Sequence, residues 1–67
     1  MNNTTSVTKP KTLMHDHLSY LDDLRDSGET NMFGAAPYLI REFPDLTRND
    51  ARDIVLYWMA TFDERHP

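Results

Sequence analysis

The residues with the clearest capacity for chemistry lie close together, at His15, His17 and Ser19. On a helix, side chains two positions apart point in nearly opposite directions, so His15 and His17 cannot easily share one metal ion. Zinc also needs three or four ligands, and His66 could add one only if the fold brought it close. The sequence therefore predicts no metal site, and it places these histidines at the solvated start of a helix.

A hydrolytic site is the second possibility, because Ser19 follows His15 by one helical turn and Asp22 is near. Nucleophilic catalysis also needs a pocket, oxyanion donors and rigid support. A chain of 67 residues has little room for them. Gly28 and Gly34 are the only glycines, which excludes a glycine-rich phosphate loop. We therefore expect no enzyme, no catalytic residue and no cofactor.

Arginines are concentrated where the last helix should begin, at Arg48 and Arg52, with Arg41 shortly before. Like charges one turn apart repel, and a cation in the first turn opposes the helix dipole. One explanation is ion pairing with acids such as Asp45 or those of the first helix. The other is recognition, because Arg side chains and Asn49 could read guanine and adenine edges. A helix-turn-helix-like DNA-binding regulator, using the start of the third helix, is therefore the alternative function.

A second candidate surface consists of methionine and tyrosine or phenylalanine side chains. Its members are Met32, Phe33, Tyr38, Tyr57 and Met59. They could cap the bundle, or part of the set could stay exposed as an adaptable apolar patch. The second interpretation predicts a non-catalytic module that binds a protein partner, and self-association as a homodimer through the same residues is also possible.

The charge distribution favours a protein partner over nucleic acid. The formal net charge is -4, and from Thr12 onward eleven acids oppose five arginines. Such a surface repels a phosphate backbone and attracts basic proteins. The chain contains no cysteine, no long apolar run and no signal-peptide pattern at its start. We therefore expect a cytoplasmic protein with no membrane contact.

The elements that must position these residues are three short helices, which predicts an all-α fold. The predicted spans are about 13–27, 35–43 and 47–63. The predicted apolar face of the first helix contains Met14, His17, Leu18, Leu21 and Leu24. Together the helices form a compact three-helix bundle over residues 12–65, preceded by a disordered tail over residues 1–11.

Local signals set the helix ends. Gly28 is a typical C-terminal stop, and Pro37 is tolerated only in a first helical turn. Pro44 ends the second helix, and Thr47 with Asp50 forms the capping pattern of the third.

The predicted core is centred on Trp58, because one indole buries a large area. The other predicted members are Leu18, Leu21, Leu24, Phe33, Leu39, Ile40, Phe43, Leu46, Ile54, Val55 and Phe62.

Two resemblances follow from these residues. The stretch 30–39 (TNMFGAAPYL), with Ala51 and Tyr57-Trp58-Met59, resembles small uncharacterised helical proteins of tailed bacteriophages. That resemblance implies a phage-encoded protein acting on a host or viral protein in a bacterial cytoplasm. The order helix, MFG loop, helix, helix also resembles the architecture of ubiquitin-associated domains, whose Met-Gly-Phe/Tyr loop binds the partner. Met32-Phe33-Gly34 has a different residue order, so the second likeness concerns architecture only.

Overall fold

The computed structural model describes residues 9–65, which contain three α-helices and no strand. These helices are α1 (His15–Ser27), α2 (Ala35–Glu42) and α3 (Arg48–Arg65), and a 3₁₀ turn over Met32–Gly34 leads into α2. The prediction of an all-α, three-helix fold is confirmed. Most of the predicted tail, residues 1–8, lies outside the described residues. Within the described part, the Pro10 carbonyl accepts a hydrogen bond from the Leu13 amide, which forms a turn ahead of α1.

The helix ends follow the local signals in the sequence. Gly28 closes α1 in the left-handed conformation, with a φ of 75°, and its amide donates to the Arg25 carbonyl. At the start of α3, the Asp50 amide donates to Thr47 Oγ1 at 3.0 Å and the Thr47 amide donates to Asp50 Oδ2 at 3.2 Å. The predicted capping box therefore forms in full.

The last helix continues to Arg65, beyond the predicted end at residue 63. The guanidinium of Arg65 donates through Nη2 to the Trp58 carbonyl at 3.0 Å and through Nε to Thr61 Oγ1 at 3.2 Å. These bonds tie the final turn of α3 to the turns before it.

The core lies between the three helices, with Trp58 at its centre as predicted. Trp58 is 1% exposed, and the other buried apolar residues are Leu21, Leu24, Ala35, Leu39, Ala51, Ile54 and Val55. Other predicted members are only partly buried and pack around this cluster, namely Leu18, Ile40, Phe43, Leu46 and Phe62.

Two residues predicted to be apolar contacts are exposed instead. Phe33 was expected in the core but is 83% exposed, because it lies on the short 3₁₀ turn and not on a helix face. Met14 is 60% exposed. It is the residue before α1 and has an extended backbone, so helical periodicity does not apply to it.

The contact between α1 and the end of α3, here called the α1–α3 junction, combines polar and aromatic interactions of Asp22, Arg25, Trp58, Phe62 and Arg65. The Trp58 indole Nε1 donates to Asp22 Oδ1 at 2.8 Å, and Arg65 Nη1 lies 3.7 Å from the same oxygen. The Phe62 and Trp58 rings pack edge to face with their centroids 5.9 Å apart. The Arg25 guanidinium lies 4.5 Å from the centroid of the Phe62 ring. The junction therefore gives the buried indole N–H its acceptor.

Candidate protein-binding surface

Phe33 is the most exposed large apolar side chain in the described chain. The backbone that carries it is held in place, because the Gly34 amide donates to Asn31 Oδ1 at 2.9 Å and to the Asn31 carbonyl at 3.1 Å. The next amide, that of Ala35, donates to the Met32 carbonyl. A hydrogen-bonded turn thus presents the ring to solvent at a defined place.

Gly34 contributes to the shape of this turn through its missing side chain. A Cβ built at Gly34 would lie 2.5 Å from Thr30 Oγ1 and 3.5 Å from Asn31 Oδ1. The first distance is shorter than any normal contact, so the turn packs closely onto the residues that precede it.

The other predicted members of the patch are partly buried. Met32, Tyr38 and Met59 pack against the core, and Tyr57 is of intermediate exposure. The 3₁₀ turn contacts both α2, which carries Tyr38, and α3, which carries Tyr57 and Met59. We call the five residues the Phe33 surface: Phe33 and Met32 lie on the turn, and the turn contacts the two helices that carry Tyr38, Tyr57 and Met59.

Tyr38 makes contacts through both its backbone carbonyl and its ring. The Tyr20 hydroxyl on α1 donates to the Tyr38 carbonyl at 3.2 Å, and the Arg41 guanidinium lies 5.3 Å from the Tyr38 ring centroid. Burial raises the pKa of the Tyr20 phenol above its ordinary value of 10.0, and the nearby Glu42 carboxylate raises it further. The proton that Tyr20 donates is therefore held more firmly than in a free phenol.

The residues of the alternative nucleic-acid face are exposed, and its arginines do not form the ion pairs considered from the sequence. Arg48, Asn49 and Arg52 are exposed over the first turns of α3, and Arg41 is exposed near the end of α2. Ion pairing of the arginines with Asp45 or with α1 acids was one of the two explanations that the sequence left open. Among the described residues, Arg52 instead lies 3.7 Å from the adjacent Asp53, with both side chains more than half exposed, and Arg48 has no ion pair.

The histidines behave differently from each other. His15 is exposed, with Nε2 3.3 Å from Ser19 Oγ, whereas His17 is 3% exposed and packs edge-on against Phe43. The prediction that both lie at a solvated helix start is therefore wrong for His17. Its Nδ1 accepts a hydrogen bond from the Met14 amide at 3.1 Å. The buried ring therefore provides the acceptor for the residue that precedes α1. Among residues 9–65 there is no group of three or more potential metal ligands.

Comparisons with protein-family models, with characterised proteins and with solved structures found no match. No helix within residues 9–65 is long and apolar enough to cross a membrane.

Two features of the described chain, one on the turn and one on α3, were not predicted from the sequence. Asn31 caps the 3₁₀ turn through its side chain, and an Asn three residues before a Gly is a turn signal that could have indicated it. Leu56 on α3 is 50% exposed although it lies among apolar neighbours in sequence. Leu56 is two residues from the buried Trp58, and side chains two positions apart on a helix point in nearly opposite directions. The sequence could therefore have placed Leu56 on the outer face of α3.

Proposed function

We propose that this chain is a small non-catalytic module that binds another protein through the Phe33 surface. The observation that carries the proposal is the 83% exposure of Phe33 on a turn held by hydrogen bonds. Burial of an aromatic side chain of this size against a partner contributes about 1.5–3 kcal/mol. Because the turn is ordered before binding, little conformational entropy is lost on association.

The composition of the Phe33 surface suits such a role. Met32 and Met59 have flexible, polarisable side chains that adapt to different partner shapes, while Tyr38 and Tyr57 add apolar area with a polar tip. The acidic excess of the chain would accelerate encounter with a basic partner. The resemblance to tailed-phage proteins extends the proposal to a phage-encoded protein that acts on a host or viral protein in the bacterial cytoplasm.

The test is an affinity capture from nuclease-treated bacterial lysate with three forms of the full chain: wild type, Phe33→Ala and Leu56→Ala. Leu56 is the control, since it is also a large exposed apolar side chain and is not one of the five residues of the Phe33 surface. We expect wild type and Leu56→Ala to retain the same protein, and Phe33→Ala to lose it while its thermal unfolding is unchanged. Equal retention by all three forms would contradict the proposal.

Self-association through the same surface is checked in the same series. Sedimentation of the wild-type chain over a range of concentrations would reveal a dimer. If Phe33→Ala abolished that dimer and Leu56→Ala did not, the partner would be a second copy of this chain.

DNA binding remains the second candidate because Arg48, Asn49 and Arg52 are exposed together on the first turns of α3. A fluorescence titration with duplex DNA at low salt tests it. If DNA binds there, Arg48→Ala/Arg52→Ala should weaken binding far more than Lys9→Ala/Lys11→Ala, which removes equal charge elsewhere. Absence of any binding at low salt would exclude this function.

A further inference from the structure

A groove of about 630 Å³ lies where the chain entering α1 meets the connection between α2 and α3. Its apolar lining consists of Met14, His17, Phe43, Pro44 and Leu46. Grooves of about 300–1,000 Å³ are large enough to enclose a small ligand or a peptide side chain. No residue of the Phe33 surface lines it, so the two surfaces are independent.

The charged residues of this groove are mainly acidic. Glu42, Asp45 and Asp50 line it, against a single cation, Lys11. Asp50 also accepts a hydrogen bond from the Thr47 amide in the capping box. Glu42 and Asp45 are exposed beside an apolar wall. This combination attracts a cationic ligand that also carries an apolar group.

His17 provides the groove with a buried hydrogen-bond donor. Because Nδ1 accepts the Met14 amide hydrogen, the proton of the neutral ring is on Nε2. His17 is 3% exposed, and among residues 9–65 its ring makes no hydrogen bond other than the one from the Met14 amide. A buried N–H without an acceptor is unfavourable, and a carbonyl oxygen entering the groove would satisfy it.

We infer that this groove binds an extended basic peptide segment of a partner protein. One apolar side chain of the peptide enters between Met14, Phe43 and Leu46. Lysine or arginine side chains on either side of it face Glu42 and Asp45, and a peptide carbonyl accepts from His17 Nε2. Met14, which is 60% exposed, would close over the apolar side chain.

The experiment is an NMR titration of the full chain, labelled at methionine methyl groups and at histidine ring nitrogens. The ligand is a short, terminally blocked peptide with one leucine flanked by lysines. We expect a saturable shift of the Met14 methyl signal and of His17 Nε2, while Met32 and Met59 stay unchanged as internal controls. A peptide with serine in place of leucine, or glutamates in place of lysines, should bind at least about fivefold more weakly.

Charge variants distinguish the groove from the overall charge of the protein. Glu42→Gln/Asp45→Asn should raise the dissociation constant about fivefold, since two partly screened ion pairs are lost. Asp23→Asn/Asp26→Asn removes the same charge from exposed positions of α1 that do not line the groove, and should change it less than about twofold.

Three results would overturn the inference. The first is an unchanged Met14 signal at saturating peptide. The second is equal weakening by the two double variants, which would show attraction to net charge only. The third is a shift of the Met14 signal with protein concentration in the absence of peptide, which would mean that a second copy occupies the groove.

Discussion

The α1–α3 junction and the Phe33 surface are each built around a large aromatic side chain, and the two side chains differ in their exposure to solvent. Trp58 is 1% exposed, with its indole N–H bonded to Asp22, whereas Phe33 is 83% exposed. Both positions are held by hydrogen bonds. At the junction they involve the ring itself, while at the turn they involve only the Gly34 and Ala35 amides.

Under the proposed function, this difference separates stability from recognition. The junction uses side-chain atoms on two helices, so it contributes to folding and leaves little apolar area for a partner. The 3₁₀ turn orders its backbone without burying its aromatic ring, so apolar area remains for a partner. In a domain of this size, where the core is small, such a separation allows the binding surface to change with little loss of stability.

Among the variants that test this difference, Trp58→Ala should have the largest effect on the free energy of unfolding. Loss of a fully buried indole should cost about 3–5 kcal/mol, which approaches the total stability expected of a small domain. We expect the variant to be largely unfolded by far-ultraviolet circular dichroism at room temperature. A cooperative urea transition with a loss below about 1.5 kcal/mol would contradict the central role of Trp58.

Asp22→Ala tests the polar half of the junction. It removes the carboxylate oxygen that accepts the Trp58 N–H and that lies 3.7 Å from Arg65 Nη1. We expect a loss of about 1.5–2 kcal/mol in urea unfolding. Asp23→Ala, at the exposed neighbouring position, is the control and should stay within about 0.5 kcal/mol of wild type.

Gly34→Ala tests the packing of the turn. Its Cβ would meet Thr30 Oγ1, so we expect a loss of about 1 kcal/mol in urea unfolding. In a Thr30→Ala background the clashing atom is absent, and most of the loss should disappear. An equal loss in both backgrounds would show that a different contact excludes the side chain.

Tyr20 connects α1 to the Tyr38 backbone and has the smallest expected effect. Because the folded state raises the pKa of its phenol, its contribution is present below the unfolded value near 10 and is lost as pH rises past it. Unfolding midpoints in urea at about pH 8 and about pH 10.5 measure this. Tyr20→Phe should lose less stability between these pH values than wild type, and equal losses would contradict the assignment.

The sequence predicted the helices well because their signals are local. Gly28, Pro44 and the Thr47–Asp50 pair act within a few residues, and they mark ends that the structure places within two residues of expectation. The Trp58-centred core followed from helical periodicity. The junction could not be predicted in this way, because Asp22 and Trp58 are far apart in sequence and only the packing of α1 on α3 brings them together.

The candidate sites were harder to predict than the fold. Phe33 was assigned both to the core and to the surface, since a short non-helical turn has no periodicity that would decide between them. His17 was assigned both to the apolar face of the first helix and to its solvated start, since the contact that buries it comes from Phe43 on another element. The groove beside it is formed by two stretches that are distant in sequence, residues 11–17 and 42–50, so no single stretch indicates it.

The most direct test of the separation between folding and recognition is the free energy of unfolding of Phe33→Ala. With the ring 83% exposed, we predict a value within about 0.5 kcal/mol of wild type in urea. A loss of about 2 kcal/mol or more would place Phe33 in the core, and the surface proposed for a partner would then belong to the fold itself.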